Sequence, residues 1–589
     1  MAKIRSFRRL LQGVAILSVA TIVHGSGPAP ADVPNDTPAI LHTLNRIAFG
    51  PRPGDVDRVR EMGLENYIEQ QLHPERMADD AMDARLAPFT TLTLSSQELS
   101  SRYFLPALEM RRQVDRAKPD AAAPAMADPA TPDSGQTAKP KPTPEMARAQ
   151  ADVRLVTNEI MQARLLRAAM SERQLQEVLT DFWFNHFNVF IGKSQVRQYL
   201  TEYERDVIRP NVFGSFRELL GDVAQSPAML LYLDNWQSAG QAERPEMDEL
   251  QRRLTDSQLA PAARQRLTER LQRAKQAARP ARGLNENYAR ELMELHTLGV
   301  DGGYTQQDVV ALARILTGWT IDQPRQGGAY IFRDAIHDSG TKTLLGKTFA
   351  STGEAEGKFA LDLLASHPAT ARHIAFKLAQ RFVADEPPPA LVERVAGVFL
   401  STKGDLREVV RSVITSPEFF AEEHRRAKVK TPLEFVVSSV RITGATLTSA
   451  QPLIVALQNL GMPLFGCQPP TGYSMTAANW VNTGALINRM NFAMDLVGGR
   501  VTPQRGRGAS AQAAPVRQNR PGRGRPTPGP IQIDLAAHAP DLSDATRTRL
   551  TKSLLGGTVS DATRETMARA ETPEQLVALA LGSPEFQRR

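Results

Sequence analysis

The sequence predicts an all-α protein: a multi-helix globular body with disordered insertions and a small helical C-terminal tail. Two observations predict it. Apolar residues recur at helical spacing through most of the chain. The helical segments are short and joined by Gly and Pro turns. At 589 residues the chain can bury a large core, and its hydrophobic content of 41% is ordinary for a water-soluble fold.

Residues 1–31 read as a signal peptide. Lys3, Arg5, Arg8 and Arg9 precede the apolar run Leu10–Val23, with cleavage sites after Gly25 or Ala31. The run is short for a membrane span, and no later segment approaches one. A periplasmic or secreted protein is therefore expected. The Arg8-Arg9 pair fits twin-arginine export but lacks the fuller motif, so Sec export stays open. The single Cys467 excludes an internal disulfide, a CxxCH haem site and a multi-cysteine zinc site.

The net charge of +7 is carried by appendages. The signal segment holds four basic and no acidic residues. The Arg/Pro/Gly linker 502–530 holds six arginines and no acids. Without these ten charges the rest of the chain carries −3. Nucleic acid is not the expected partner, whereas the linker could attach weakly to acidic glycans.

The helical body is expected over 38–500. Gly50-Pro51 stops its first helix. Residues 116–145, rich in Ala, Pro, Asp and Lys, are a disordered insertion. A helix is expected over 146–170, then SERQLQEVLTDFWFNHFNV from Ser171. On the latter, Glu177, Asp181, Asn185 and Asn188 form a polar stripe among aromatics, with His186 about 100° away. Residues 214–235 read as two helices meeting at Ser226-Pro227. Residues 240–282 read as a solvated helical hairpin broken at Pro261, an insertion whose ends would lie close together. Residues 332–347 are a loop around His337-Asp338. Helices follow from His367, over 390–400, 405–415, 430–445 and 479–497, and 531–589 form the small tail. Ser-Pro follows an apolar helix at 226, 416 and 583, which reads as an N-cap with Pro at N1.

The chain is organised around 284–319. As a helix, Asn287, Glu291 and Glu294 fall within about 60° of one another, beside Tyr288, Leu292 and Leu295. A helix apolar on several sides is expected to be buried, and its carboxylates must then be paired, protonated or metal-bound. Glu291, Glu294 and His337 are the candidate catalytic groups. Asn287, Asp181, Asn185 and His186 are candidate ligands of a divalent cation. The alternative is structural: Arg290 stands four residues from both Glu286 and Glu294 and could pair with them, and buried Asn often serves caps. His367 and His373 read as structural. TLGVDGGYTQQD lacks the carboxylates of a calcium loop, and Thr305 with Asp308 reads as a helix cap.

RIAFGPRPGD (46–55), FWFNHFNV (182–189), SPAMLLYLDN (226–235), NENYARELMELHTLGVDGGYTQQDV (285–309), HDSGTKTLLG (337–346), HPATARHIAFKLAQRFV (367–383) and KTPLEFVVSSVR (430–441) together resemble the bacterial family catalogued as domain of unknown function 1800. The resemblance covers roughly 38–500. It implies an exported, mostly helical protein, often beside a second exported protein of a sulfatase- and phosphatase-like type, and it supplies no catalytic residues. Two functions follow as expectations. One is metal-assisted hydrolysis of an envelope or extracellular substrate. The other is a non-catalytic binding or scaffold protein working with another exported enzyme. Convergence of the candidate side chains on one cavity separates them.

Overall fold

Helices open where the sequence supplies a cap. In the computed structural model, which describes residues 33–117, 143–240, 250, 252–255, 260–277, 283–501 and 529–589, Asp36 caps the first helix, Thr37–Arg46, by accepting from the Ala39 amide. Thr143 caps Pro144–Met170, and Thr305 with Asp308 forms the expected capping box at the start of Gln306–Ile315. Ser226, Ser416 and Ser583 each accept an amide hydrogen bond at the start of a helix with Pro at N1. The expected signal peptide, most of 116–145, parts of 240–282 and nearly all of 502–530 lie outside the described residues.

The architecture is helical, with three two-stranded antiparallel ribbons: Trp319–Ile321 with Tyr330–Phe332, Lys342–Leu344 with Lys347–Phe349, and Thr446–Leu447 with Ile531–Gln532. The ribbons correct the reading of 332–347 as a plain loop. Short three-residue strands on either side of Leu345-Gly346 give too little periodicity to read. Leu345 and Gly346 both have positive φ, +49° and +74°, as a tight hairpin turn requires.

Asn285 Nδ2 donates to the Leu233 carbonyl at 2.7 Å, and its amide donates to Ser238 Oγ at 3.1 Å. The ends flanking 240–282 are therefore adjacent, as expected of an inserted hairpin, of which Pro261–Ala277 is a helix.

The helix of 171–189 is shorter than expected. It runs Gln174–His186, because Ser171 spends its hydroxyl on Asp79 and on the Arg173 amide. The central helix, Glu286–Glu294, is also less enclosed than expected. Tyr288, Ala289, Leu292 and Met293 are buried, but Asn287 is exposed and Glu291 and Glu294 are half-buried. It is an amphipathic wall of the core with its acidic face outward.

The C-terminal residues 531–589 dock on the body. Helix Pro573–Gly582 packs on Thr483–Val497. The Lys430 amide donates to the Gln587 carbonyl at 2.8 Å, and the Arg589 amide to the Lys428 carbonyl at 2.9 Å. Glu434, in the first turn of Pro432–Ile442, accepts from Arg381 at 2.9 Å and Arg589 at 3.0 Å, all three buried. Burial alone would raise the Glu434 carboxyl; Arg589, Arg381 and the Thr431 amide outweigh it and hold it down at about 2. Its stabilising contribution is therefore full above the ordinary carboxyl range and lost only as pH falls towards about 2. Glu434→Gln strands two buried guanidinium groups and should cost about 3–5 kcal/mol in urea unfolding at pH 7. A cost under about 1 kcal/mol would show that the pair does not hold the C-terminal segment.

Candidate functional site

The polar stripe of the Gln174–His186 helix is committed along its length. Arg164 Nη2 donates to Asp181 at 2.6 Å and Nη1 to Glu204 at 3.0 Å. Arg209 closes the square between Glu204, at 3.2 Å, and Glu177. Burial opposes the charge on Arg164, but Glu204 and Asp181 outweigh it and its pKa lies above the usual value. Asp181 is therefore the carboxylate of a paired network, not a free cation ligand.

Asn185 and Asn188 hold the Gly/Pro-rich loop 460–478. Asn185 Nδ2 donates to the Tyr473 carbonyl at 2.8 Å, and its Oδ1 accepts from the Tyr473 amide at 2.7 Å. Asn188 Nδ2 donates to the carbonyls of Cys467 and Pro469 at 3.0 and 2.8 Å. Tyr232 adds a hydrogen bond to the Gln468 carbonyl at 2.6 Å. Gly472 sits over the helix end with φ +72°, and a Cβ there would stand 2.2 Å from the Asn185 carbonyl oxygen. Only glycine fits.

Under this loop lies a cavity of about 100 Å³ lined by Asn185, His186, Leu295, His373 and Lys377 among others. Here the structure assembles residues the sequence left apart. The His186 and His373 rings are 6.0 Å apart between centroids, and His186 and His296 6.2 Å. His186 Nε2–H donates to the His296 carbonyl and His373 Nε2–H to the Leu295 carbonyl, each at 3.2 Å. Both acceptors lie just beyond the last turn of the central helix, where backbone carbonyls lack intrahelical partners. His296 Nε2 is buried without a hydrogen-bond partner. Burial, then neighbouring histidines or Lys377, depresses all three: His296 to about 3, His373 to about 4, and His186 well below its ordinary value. They are neutral near pH 7, and His186 and His373 clamp the helix end rather than titrate there.

On the central helix, the Glu291 carboxylate makes no hydrogen bond or ion pair with any described residue. Burial and then Glu294 raise its carboxyl above the usual range, opposed by Arg290. Glu294 accepts from the Tyr304 hydroxyl at 3.2 Å. Arg290 does not pair with Glu286 or Glu294 directly: it donates to Gln306 at 2.7 Å, whose amide donates to Glu286 at 2.7 Å.

His337 belongs to a separate buried network. Its Nδ1–H donates to the Thr317 carbonyl at 2.8 Å, and its Nε2 lies 3.2 Å from Glu356 Oε1. Lys342 Nζ binds Glu356 Oε2 at 2.7 Å, with both side chains fully buried. Asp338 turns away to a two-pronged pair with Arg314 at 2.9 Å. His337-Asp338 is therefore no dyad, and His337 is a neighbour of Glu356 and Lys342.

The expected cation shell is not assembled: Asp181 is spent on Arg164, Asn185 on Tyr473 and His186 on His296, while Asn287 is exposed. Among the described residues, no group of three or more His, Cys, Asp or Glu is placed to hold a metal ion. The partnership of His296 and His373 with His186 is not legible in the sequence: nothing in their spacing signals it, because three segments far apart in the chain supply them.

Fold and site define a helical protein whose polar residues mainly tie loops and helix ends together. The chain belongs to the family described as protein of unknown function (DUF1800), whose model matches residues 42–588. The match extends beyond the resemblance at 38–500 and takes in the docked C-terminal helices. No curated protein and no solved structure matches the chain.

Two outcomes test this site. Asn185→Ala removes both hydrogen bonds to Tyr473 and should cost about 2–3 kcal/mol in urea unfolding; Gly472→Ala should destabilise in the same direction. If both variants unfold like wild type, the stripe does not anchor the loop. For the histidines, the folded state binds fewer protons than the unfolded state between the ordinary value of 6.5 and about 4. Stability should therefore fall as pH drops through that window, and His373→Gln should flatten the fall. An unchanged pH profile in His373→Gln would show that His373 is not held neutral.

Proposed function

We propose that the protein is an exported, non-catalytic binding or scaffold protein that works beside another exported enzyme of the sulfatase- and phosphatase-like type. The observation that carries the reading is the pairing of the candidate polar groups. Asp181, Asn185, His186 and His337 are each consumed by a partner, in networks that fix a loop, a helix end and a ribbon. A hydrolase needs its acid, base and cation ligands around one reachable cavity. The charged, then apolar N-terminus supports export to the periplasm or beyond, with the mature chain beginning between 26 and 32. No helix among the described residues is long and apolar enough to cross a membrane. The six arginines of 502–530 supply a weak, salt-sensitive attachment to acidic glycans.

One observation favours the second reading, an enzyme centred on Glu291. This half-buried carboxyl has no ion-pair partner among the described residues and stands beside Glu294, with Arg290 only partly offsetting the repulsion, an arrangement that a divalent cation or a shared proton would relieve. The test is a set of thermal melts of the mature protein and Glu291→Gln, with and without chelator. The raised carboxyl destabilises the fold once pH exceeds its ordinary range. Under the scaffold reading, Glu291→Gln melts at or above wild type at pH 7, the gain disappears near pH 4, and chelator changes neither protein. A chelator-induced drop in wild type that Glu291→Gln abolishes would overturn the scaffold reading in favour of a metal-centred enzyme.

A further inference from the structure

The docked C-terminus closes over an interior with too many positive charges. Arg46, Arg381, Lys428, Lys430, Arg489 and Arg589 are all buried. The acids among them are Glu434, bound to Arg381 and Arg589, and the half-buried Asp385, bound to Lys428. An α-carboxylate on Arg589, if the chain ends there, would add one negative charge and still leave cations in excess. Arg46 is fully buried, and its Nη2 donates to the His424 carbonyl at 2.6 Å, but its Nε and Nη1 have no partner. Arg589 likewise leaves Nε and Nη1 unpartnered. Lys430 Nζ rests 3.8 Å from the centre of the Phe586 ring and makes no hydrogen bond among the described residues. Burial and the neighbouring cations push Arg589 down to about 9 and Lys430 to about 7. An unpaired buried charge costs several kcal/mol, so the arrangement calls for a missing anion.

A cavity of about 400 Å³ lies against this cluster. Lys430 and Arg589 form part of its wall. So do Arg425, whose Nε is buried without a partner, and His42, whose Nε2 is likewise unpartnered. Arg426 and the exposed Arg588 complete its basic lining, against two acids, Glu422 and Glu585. Glu585 is already committed to the Ser560 amide at 2.9 Å and the Thr563 hydroxyl at 2.7 Å. Arg46 lies one helical turn beyond His42 on the same helix face.

We propose that this cavity binds a small multivalent oxyanion, a phosphate- or sulfate-bearing molecule, held by Lys430, Arg425 and Arg589 with Arg46 behind them. Guanidinium forks match tetrahedral oxyanions, and charge-assisted bonds to them are among the strongest a protein makes. The volume exceeds that of a free ion, which leaves room for an organic group. The residues are distinct from Glu291 and from the histidine cluster, so the site stands or falls independently of the proposed function.

The test uses the mature full chain in thermal melts and titration calorimetry at fixed ionic strength. Inorganic phosphate, inorganic sulfate and glucose 6-phosphate are compared with chloride. Saturable stabilisation by phosphate or sulfate that chloride does not reproduce is the expected result. Equal binding of inorganic phosphate and the sugar phosphate supports a free oxyanion, and tighter binding of the sugar phosphate supports an ester. Arg46→Met should melt higher than wild type in chloride, because an unpaired buried charge is gone, and should weaken the response to oxyanions. Arg425→Gln changes a half-buried wall residue outside the ion pairs; it should fold normally and weaken oxyanion binding about tenfold or more. The proposal is overturned if chloride stabilises as well as phosphate and sulfate do, or if Arg425→Gln binds oxyanions like wild type.

Discussion

Glu434 takes a buried guanidinium from each side, Arg381 at 2.9 Å and Arg589 at 3.0 Å, and so fastens three remote parts of the chain at one point. Arg381 lies in the last turn of the Pro368–Phe382 helix, Glu434 in the first turn of the Pro432–Ile442 helix, and Arg589 beyond the C-terminal helices. In a chain whose only cysteine is buried and free, no covalent link can do this. A buried charge network is a demanding substitute. Each member is tolerable only while its partners are present, so the helices that carry them must dock together. The same interior then holds more cations than acids, which couples the docking of the C-terminal segment to the basic cavity beside it.

A second constraint works through neutral groups. Asn185 bonds both backbone polar groups of Tyr473, Asn188 holds two further carbonyls, and His186 and His373 hold the carbonyls beyond the central helix. Loops rich in Gly and Pro have few backbone bonds of their own, and helix ends leave carbonyls unsatisfied. Polar side chains on buried faces supply what the backbone lacks. The polar stripe that suggests a site in the sequence therefore serves half as an ion-pair network, through Glu177 and Asp181, and half as loop attachment, through Asn185 and Asn188. Glu291, whose carboxylate has no ion-pair partner among the described residues, is the exception.

How much was legible depends on how local each feature is. Helical periodicity, Ser-Pro corners and the Thr305–Asp308 capping box are written within a few residues, and the structure has them where the sequence puts them. The adjacency of Leu233 and Asn285 followed from reading 240–282 as an insertion. The ribbon at 342–349 was not legible, because strands of three residues show too little alternation. The exposure of Asn287 was missed because apolar residues around a helix do not reveal which of its faces meets solvent.

By itself, the sequence determined the helical class, the caps and corners, the family and the helices on which the polar side chains sit. Only the tertiary structure decided what those side chains meet. Asp181 meets Arg164, His337 meets Glu356, and His186, His296 and His373 converge from three separate segments. The physical reason is range. Helix periodicity and capping act over a turn or two of one chain segment. Ion pairing, burial and cavity shape depend on side chains brought together from hundreds of residues apart, as Arg46 and Arg589 are, and no local spacing encodes that meeting.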